Sequence, residues 1–519
     1  MRTILAAAGV TAILSTTLAA CGNGDAATDG YGAAGGPSTP GSVQSPAEPS
    51  NLIAWSTCTD IERPDGQAPA KPDPSLQCGK LQVPLDYAKP TGETLDIAVI
   101  RIRATGPGRR LGSLVFNFGG PGASGVDTLA RAYKVFGTLR ARYDLVSFDP
   151  RGVERSSGVR CGDNQIMDRF TSMDSLATTP AQQAEMDRTI KEFADACERT
   201  SGKVLPYVGT VNAARDMDRL REAVGDRRLN YFGISYGTQL GAVYATQFPK
   251  NVGRFVLDAP LDPSVGLDKR TLVQTAGFQH AYEAFLKDCV KGPGQCELGS
   301  DVTIANKNVD SFLADLQKNP LPVRDRKLTQ GLANTGVVAA LYSKLTWPLL
   351  EHALGQGLKG DGRILLALSD SYNGRKPDGS YSSLMSSFPA ISCVDTAERP
   401  TPQELATTQA DAVKISPLFA SQGMGSICAA WPVPGSDEAR KVNAAGSAPI
   451  VVIGGTGDPA TPYQWAPKLA EELGTGVLVT YKGEGHGAYL SGDTCVKKVI
   501  DTYLIDGKTP SKGITCSAS

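Results

Sequence analysis

The sequence has few histidines and no excess of charge of either sign, and both shortages exclude classes of function. Only three histidines occur in 519 residues, and no Cys-x-x-Cys spacing accompanies them, so no metal site is expected. The net charge is −1, whereas a protein that binds nucleic acid needs a clear excess of lysine and arginine. No internal run approaches the ~18–20 apolar residues of a membrane span. These shortages favour an enzyme or binding protein without metal or nucleic acid.

The first 50 residues have the composition of a targeting segment followed by a tether. Arg2 precedes an apolar, alanine-rich run, and residues 18–22 read Leu-Ala-Ala-Cys-Gly, which resembles the bacterial lipoprotein box. Cys21 would then be lipidated and become the mature N-terminus. Residues 22–50 are rich in Gly, Ala, Ser and Pro, which favours a flexible linker. We predict a lipoprotein signal peptide over 1–21 and an exported protein that is lipid-anchored or secreted; a plain secretory signal is the alternative.

The remaining ten cysteines form an even set, which in an exported protein predicts disulfides. Pairing each with its neighbour in sequence would close five local loops, although the sequence leaves the connectivity open. The ten are Cys58, Cys78, Cys161, Cys197, Cys289, Cys296, Cys393, Cys428, Cys495 and Cys516.

Apolar segments of strand length alternate with helix-like patterns, which is typical of a parallel α/β sheet. One helix is predicted from a cap at Asn212 through Val224. Residues 264–445 break the alternation with helical patterns and polar loops, which predicts a mainly helical cap inserted after the sixth strand of a core formed by 51–263 and 446–519. The eight predicted strands are 80–84, 94–103, 113–118, 144–148, 228–232, 253–258, 448–454 and 476–481.

The fifth predicted strand runs into Gly-Ile-Ser-Tyr-Gly at 233–237, and a helix-like segment follows. A strand, a G-x-S-x-G turn and a helix in this order predict a nucleophile elbow, with Ser235 as the nucleophile. The flanking glycines are needed because side chains there would collide with the strand and the helix. A structural turn is the alternative.

A serine nucleophile needs a neighbouring base, and His486 is the best candidate. His280 and His352 lie in helical patterns and are expected to be partly buried helix residues, whereas His486 lies in a loop after the last strand. Asp458 follows the seventh strand and would orient the imidazole. The order serine, acid, histidine is that of the α/β-hydrolase fold. Asp395 is the main rival for the acid, and Asp258 is a weaker one.

The oxyanion of the reaction would be bound by backbone N–H groups. One is expected from Tyr236, directly after the nucleophile. The other is expected from the glycine-rich loop after the third strand, where Gly120 is the first choice and Gly119 the second. Four glycines within 119–125 fit a close approach of the backbone to a substrate carbonyl.

Together the motifs resemble the secreted tripeptidyl aminopeptidases related to prolyl aminopeptidase, and especially the Gram-positive lipoprotein branch described as carboxylesterase or serine protease. The resemblance runs from about Trp55 to Cys516. It implies a serine hydrolase that forms an acyl-enzyme and releases short peptides, tripeptides above all, from free N-termini, without a cofactor. Prolyl aminopeptidases have histidine where Phe118 stands, which puts proline specificity in doubt. The matching motifs are Asn-Phe-Gly-Gly-Pro-Gly at 117–122, Asp-Pro-Arg-Gly at 149–152, the 233–237 turn, Gly-Asp-Pro-Ala-Thr-Pro at 457–462 and Gly-His at 485–486.

An exopeptidase also needs a group that holds the substrate's α-ammonium. Asp395, beside Cys393 in the predicted cap, is the candidate, and an ordinary solvated aspartate is the alternative; Gly119 is also placed at the substrate. We therefore expect an exported α/β-hydrolase that acts as a serine aminopeptidase on peptides with free N-termini and touches the membrane only through its lipid anchor. The alternatives are a carboxylesterase or lipase, and a substrate-binding lipoprotein without activity.

Overall fold

The computed structural model describes residues 52–61, 72–174, 176–292 and 294–518. The predicted signal peptide, the linker and Cys21 lie outside these ranges. Within them, no helix combines the length and the apolar composition that a membrane span requires.

The strands, in chain order, are β1 (Ser56–Thr57), β2 (Leu76–Pro84), β3 (Thr94–Ile102), β4 (Ser113–Asn117), β5 (Asp144–Phe148), β6 (Leu229–Ile234), β7 (Val252–Asp258), β8 (Leu321–Val323), β9 (Arg326–Leu328), β10 (Ile450–Gly457), β11 (Gly476–Glu484) and β12 (Ile514–Ser517). The α-helices are α1 (Gly125–Ala132), α2 (Gly137–Arg140), α3 (Asn164–Thr171), α4 (Pro180–Ser201), α5 (Thr210–Ala223), α6 (Tyr236–Gln247), α7 (Leu267–Lys291), α8 (Val302–Lys318), α9 (Gln330–Leu341), α10 (Trp347–Leu358), α11 (Arg363–Asn373), α12 (Leu384–Val394), α13 (Pro402–Ile415), α14 (Gly423–Ala429), α15 (Trp465–Glu472) and α16 (Thr494–Asp506).

The main sheet has the strand order β1-β2-β3-β5-β4-β6-β7-β10-β11-β12. Strands β5, β4, β6, β7, β10, β11 and β12 are mutually parallel, and β1, β2 and β3 pair antiparallel at one edge. All eight predicted strands are present. Two short edge strands, β1 and β12, extend the sheet to ten within the described residues.

The sheet is buried on both faces, which explains why its central strands are almost continuously apolar. In β4, Val115 packs into the cluster on one face, whereas Leu114 and Phe116 pack into the cluster on the other. This alternation follows from the two-residue period of a strand. Helices therefore cover both faces, and the fold is an α/β-hydrolase sheet with flanking helices.

A mainly helical cap separates β7 from β10. It consists of α7–α14 and the small hairpin β8–β9, and it has an apolar core of its own that includes Phe285, Leu313, Trp347 and Leu365. The segment with α3 and α4 also reaches the cap, because Arg375 bonds Asp168 at 2.7 Å. We keep 264–445 as the proposed extent of the cap.

All ten predicted cysteines are joined in disulfides between sequence neighbours: Cys58–Cys78, Cys161–Cys197, Cys289–Cys296, Cys393–Cys428 and Cys495–Cys516. Two of them lie in the cap segment, and none crosses from that segment to the sheet core.

Candidate active site

The candidate residues meet at one edge of the sheet because they follow the carboxyl ends of neighbouring parallel strands. Asn117 at the end of β4 lies opposite Gly233 of β6, and Ile234 of β6 lies opposite Asp258 of β7. Strand β10 ends one residue before Asp458, and β11 ends two residues before His486. Ligands of open parallel sheets bind at this edge.

Ser235 lies in the sharp turn between β6 and α6. Its backbone angles are φ 58° and ψ −127°, a region that a residue with a side chain occupies only where the surroundings enforce it. Its N–H donates to the Asp258 carbonyl at 3.0 Å. Its own carbonyl accepts from the N–H of Thr238 at 2.8 Å and from the hydroxyl at 2.6 Å. The turn is therefore held on both sides, and Ser235 remains partly accessible.

The glycine-rich loop after β4 lies directly against this turn. A Cβ atom on Gly119 would come within 2.8 Å of the Ser235 Cβ and within 3.2 Å of the Tyr236 nitrogen. Gly119 also has φ +91°, which residues with side chains rarely adopt. Only glycine allows the loop to approach Ser235 this closely.

His486 and Asp458 form a bonded pair beside the elbow. The imidazole Nδ1 lies 2.9 Å from both Asp458 carboxylate oxygens. Burial disfavours the imidazolium, but the charge of Asp458 and its hydrogen bond outweigh burial and raise the pKa of His486 above 6.5. The Nε2 atom is buried and has no hydrogen-bond partner among the described residues. This ring nitrogen is the one that a general base would use.

Asp458 is itself fixed by the turn that follows it. Its Oδ1 accepts from the N–H groups of Ala460 and Thr461 at 3.0 and 2.9 Å. Its Oδ2 accepts from the Thr461 hydroxyl at 2.9 Å, and that hydroxyl also lies 3.3 Å from His486 Nδ1. The carboxylate thus cannot rotate freely, which fixes the orientation of the imidazole that it contacts.

Asp258 connects the elbow with the histidine loop. Its backbone carbonyl accepts from Ser235, while its carboxylate oxygens accept from the N–H groups of Ala488 and Tyr489, each at 2.9 Å. The side chain is fully buried, and burial raises its pKa to about 6. Asp258 therefore positions the loop of His486 and makes no hydrogen bond to the imidazole.

The cap contacts the same histidine through Tyr342. The Tyr342 carbonyl accepts from the backbone N–H of His486 at 2.8 Å. Its ring packs edge-on against the imidazole, with centroids 5.2 Å apart and an angle of 85° between the planes. The Tyr342 hydroxyl lies 3.3 Å from that of Tyr372. One cap residue thus holds both the backbone and the ring of His486.

Backbone donors for an oxyanion lie on both sides of Ser235. Tyr236 is the first residue of α6, so its N–H has no acceptor within the helix. Of the two loop glycines, the N–H of Gly119 donates to Asn117 Oδ1 at 3.0 Å, whereas the N–H of Gly120 has no acceptor among the described residues. The arrangement can offer the N–H groups of Tyr236 and Gly120 to a tetrahedral oxygen.

The chain is similar to hydrolases of known name along most of its length. The sequence profile described as TAP-like protein matches residues 401–516. Serine protease Hip1 of Mycobacterium tuberculosis is 36% identical over 483 residues, which cover 89% of this chain and 91% of that protein. Carboxylesterase B of the same species is 35% identical, over 93% of this chain and 94% of its own length. Tripeptidyl aminopeptidase of Streptomyces lividans is 31% identical, over 85% of this chain and 84% of its own length.

The chain belongs to the TAP-like family of α/β-hydrolases. It is a serine hydrolase, as the resemblance implied. In this TAP-like hydrolase, the two remaining histidines lie on helices α7 and α10, as predicted, but both are exposed. His352 bonds Glu297 at 2.9 Å, away from the elbow.

Asp395 of the TAP-like hydrolase is buried and bonded to Thr210. It is only 8% exposed, and its two oxygens accept from the N–H and the hydroxyl of Thr210. Each oxygen thus has a hydrogen-bond donor inside the protein, and little of the residue is exposed. The contact with Thr210, at the start of a helix distant in sequence, was not predicted, and the ammonium role of Asp395 stays a prediction.

The Asp-Pro-Arg-Gly motif of the TAP-like hydrolase contacts the glycine-rich loop through Asp149. Asp149 accepts from the Ser124 hydroxyl at 2.6 Å and from Val126 N–H at 3.2 Å, which fixes the end of the glycine-rich loop. Arg151 is fully buried and forms two hydrogen bonds with Asp216, at 2.6 and 2.7 Å. Asp149 thus contacts the loop directly, whereas Arg151 joins Asp216 of α5 to the carbonyls of Pro84 and Leu85 at the end of β2.

Three residues near the site had no predicted role: Thr210, Tyr342 and Thr461. Thr461 stands three residues after Asp458 within a recognised motif, so an Asp-x-x-Thr turn was the signal for it. Tyr342 contacts His486 and Thr210 contacts Asp395, and in each pair the two residues are more than 100 positions apart in sequence. No local pattern identifies such contacts.

Proposed function

We propose that this TAP-like hydrolase is a serine aminopeptidase that releases tripeptides from free N-termini through an acyl-enzyme. Ser235 is the nucleophile, His486 the base and Asp458 the acid that orients it. The observation that carries these roles is the buried, unpartnered Nε2 of His486, whose Nδ1 is bonded to Asp458 beside the strained Ser235 turn. The name and the 31% identity of the Streptomyces tripeptidyl aminopeptidase support the peptide substrate.

In the first step, Ser235 Oγ attacks the scissile carbonyl and its proton moves to His486 Nε2. The imidazolium is stabilised by Asp458 through Nδ1–H. The tetrahedral oxygen accepts from the N–H groups of Tyr236 and Gly120. His486 then gives the proton to the leaving amine, which leaves an ester on Ser235. Water, deprotonated by His486, hydrolyses this ester.

A carboxylesterase is the second candidate, and two observations favour it. Carboxylesterase B of Mycobacterium tuberculosis covers nearly the whole chain. In addition, Asp395, the cap acid assigned to the ammonium group, is buried and bonded to Thr210, which disfavours an ammonium site there. The same catalytic groups serve esters and amides, and the substrate alone separates the two candidates.

The test compares three substrates on the mature protein and on Ser235→Ala: a tripeptide anilide with a free N-terminus, its N-acetylated form, and a short-chain nitrophenyl ester. We expect the free tripeptide to be cleaved far faster than the acetylated one. The substitution should lower kcat by about 10⁴–10⁶-fold on every substrate. Turnover of the ester alone would favour the carboxylesterase. Activity that survives in Ser235→Ala would refute the catalytic assignment.

We also propose that the protein is exported and anchored through a lipid on Cys21. The five disulfides support export, because such bonds persist in oxidising compartments. Replacing Cys21 with serine should move the protein from the membrane pellet to the soluble fraction. An unchanged distribution would show that the lipid is not the anchor.

A further inference from the structure

A chain of hydrogen bonds connects the cap with the residue that follows the nucleophile. The Tyr236 hydroxyl lies 2.6 Å from the Thr210 hydroxyl, and the Thr210 hydroxyl donates to the Asp395 carboxylate. All three side chains are buried, at 3%, 0% and 8% exposure. The proposed catalytic steps use none of these side-chain groups.

The direction of the chain follows from the number of protons. The Thr210 hydroxyl has one proton, and it goes to Asp395. Thr210 can then only accept from Tyr236, so the Tyr236 hydroxyl is the donor. The N–H of Thr210 donates to the other Asp395 oxygen at 2.8 Å. A single carboxylate therefore fixes the start of α5 and, through Thr210, the side chain of Tyr236.

Asp395 is rigidly held at its own end. It follows Cys393, which is fully buried and bonded to Cys428. The Cys393 carbonyl accepts from Arg399 at 3.1 Å, and the same guanidinium donates to Val433 at 2.8 Å. The Asp395 carboxylate thus has a fixed position in the cap. Through Thr210 and Tyr236 it contacts the helix that follows Ser235.

The consequence concerns the backbone of Tyr236. Its N–H is the proposed oxyanion donor, and its side chain is the only part that extends to α5 and the cap. A donor that is misplaced by about 1 Å can cost two orders of magnitude in rate, and loss of one oxyanion donor costs about 10²–10³-fold. We propose that Thr210 and Asp395 are positioning residues for the oxyanion hole, which act through the Tyr236 side chain.

This inference rests on the proposed role of Ser235 but holds for an amide or an ester substrate. The test uses Tyr236→Phe, Thr210→Val and Asp395→Asn in the full mature protein, with a nitrophenyl ester as substrate and an alkyl boronic acid as tetrahedral analogue. We expect each substitution to lower kcat about tenfold and to weaken boronate binding similarly. KM should change less than twofold, because the ground-state ester needs no oxyanion.

Two matched controls separate positioning from loss of stability. Tyr244→Phe removes another buried tyrosine hydroxyl from the same helix, which donates to Asp218 at 2.9 Å. Glu398→Gln alters another carboxylate of the same cap segment, which accepts from the N–H of Leu267 at 2.8 Å and so caps α7. Both should lower the melting temperature about as much as the test variants while leaving kcat and boronate affinity unchanged.

A double variant provides the decisive readout. Because Thr210 and Tyr236 act in one chain, Thr210→Val with Tyr236→Phe should be no slower than the slower single variant. Multiplied losses, a loss confined to KM, or a wild-type kcat in Tyr236→Phe would overturn the proposal. If Ser235→Ala still hydrolysed the ester, the assignment of Ser235 as the nucleophile would fail instead. The three test variants would then share no common loss of boronate affinity.

Discussion

The core supplies each proposed catalytic group from a residue at the end of a strand, whereas the cap supplies contacts that hold those groups in place. Ser235, Asp458 and His486 follow β6, β10 and β11. The cap contacts the site through the Tyr342 carbonyl and ring on His486 and through Asp395 on Thr210. The reacting groups thus all come from the core, whereas the contacts that position them come both from the core, as with Asp258 and Thr461, and from the cap.

This difference bears on how the cap can move. Tyr342 contacts His486 and Asp395 contacts Thr210. A displacement of the cap would therefore remove both contacts together. Substitutions in the core should therefore abolish chemistry, and substitutions in the cap should weaken it by a smaller factor.

Among substitutions that keep Ser235, the largest effect is expected for Asp458→Asn. An asparagine can donate to Nδ1 and so favour the tautomer whose Nε2 already carries a proton, which cannot accept one from Ser235. We expect kcat on the ester to fall about 10⁴-fold. Asp493→Asn, at the start of α16, is the control and should leave kcat unchanged.

The same variant has a predictable pH dependence. His486 acts as a base only when it is neutral, so kcat/KM of the wild type should fall as the pH drops through its raised pKa, above 6.5. Removal of the Asp458 charge removes the main stabilisation of the imidazolium. The acid limb of the residual activity should then move to lower pH, and a limb that stayed in place would contradict the assignment of Asp458.

The core residues could be predicted from the sequence because each lies in a short motif next to a strand. The strand before Ser235, the glycines around it and the loop position of His486 are all local features. The order of the three residues along the chain then indicated the fold. The central parallel strands were predicted for the same reason, since a strand that is buried on both faces is almost continuously apolar.

The cap contacts could not be predicted in this way, and α5 shows why. The sequence predicted a helix start at Asn212, but the helix begins at Thr210. The preceding Gly209 has no side chain that could cap it, and the cap is the carboxylate of Asp395, 185 residues further along the chain. A helix start that is satisfied by a distant side chain leaves no local signal. The contact of Asp395 with Thr210 went unpredicted for the same reason.

A smaller but still large effect is expected for Gly119→Ala, at the contact between the loop and the elbow. The new methyl group would lie within 2.7 Å of the Ile234 carbonyl and 2.8 Å of the Ser235 Cβ, and φ is +91°. The loop must retreat, which displaces the Gly120 donor. We expect kcat on the ester to fall about 10²–10³-fold. Gly137→Ala, where a Cβ would meet nothing within 4 Å, should keep full activity.

The smallest effect is expected for Tyr342→Ala in the cap, and it tests the comparison most directly. The substitution removes the ring that packs against His486 but keeps the carbonyl that accepts its backbone N–H. The imidazole then keeps its hydrogen bond to Asp458 but loses the aromatic ring that packs against it. We expect kcat to fall about tenfold, as when a positioning contact is lost. Tyr342→Phe keeps the ring, loses only the contact with the Tyr372 hydroxyl, and should remain within twofold of the wild type. If Tyr342→Ala were as slow as Asp458→Asn, the cap would belong to the reacting machinery and the distinction between the two regions would fail. If both tyrosine variants matched the wild type, the Tyr342 ring would not position His486.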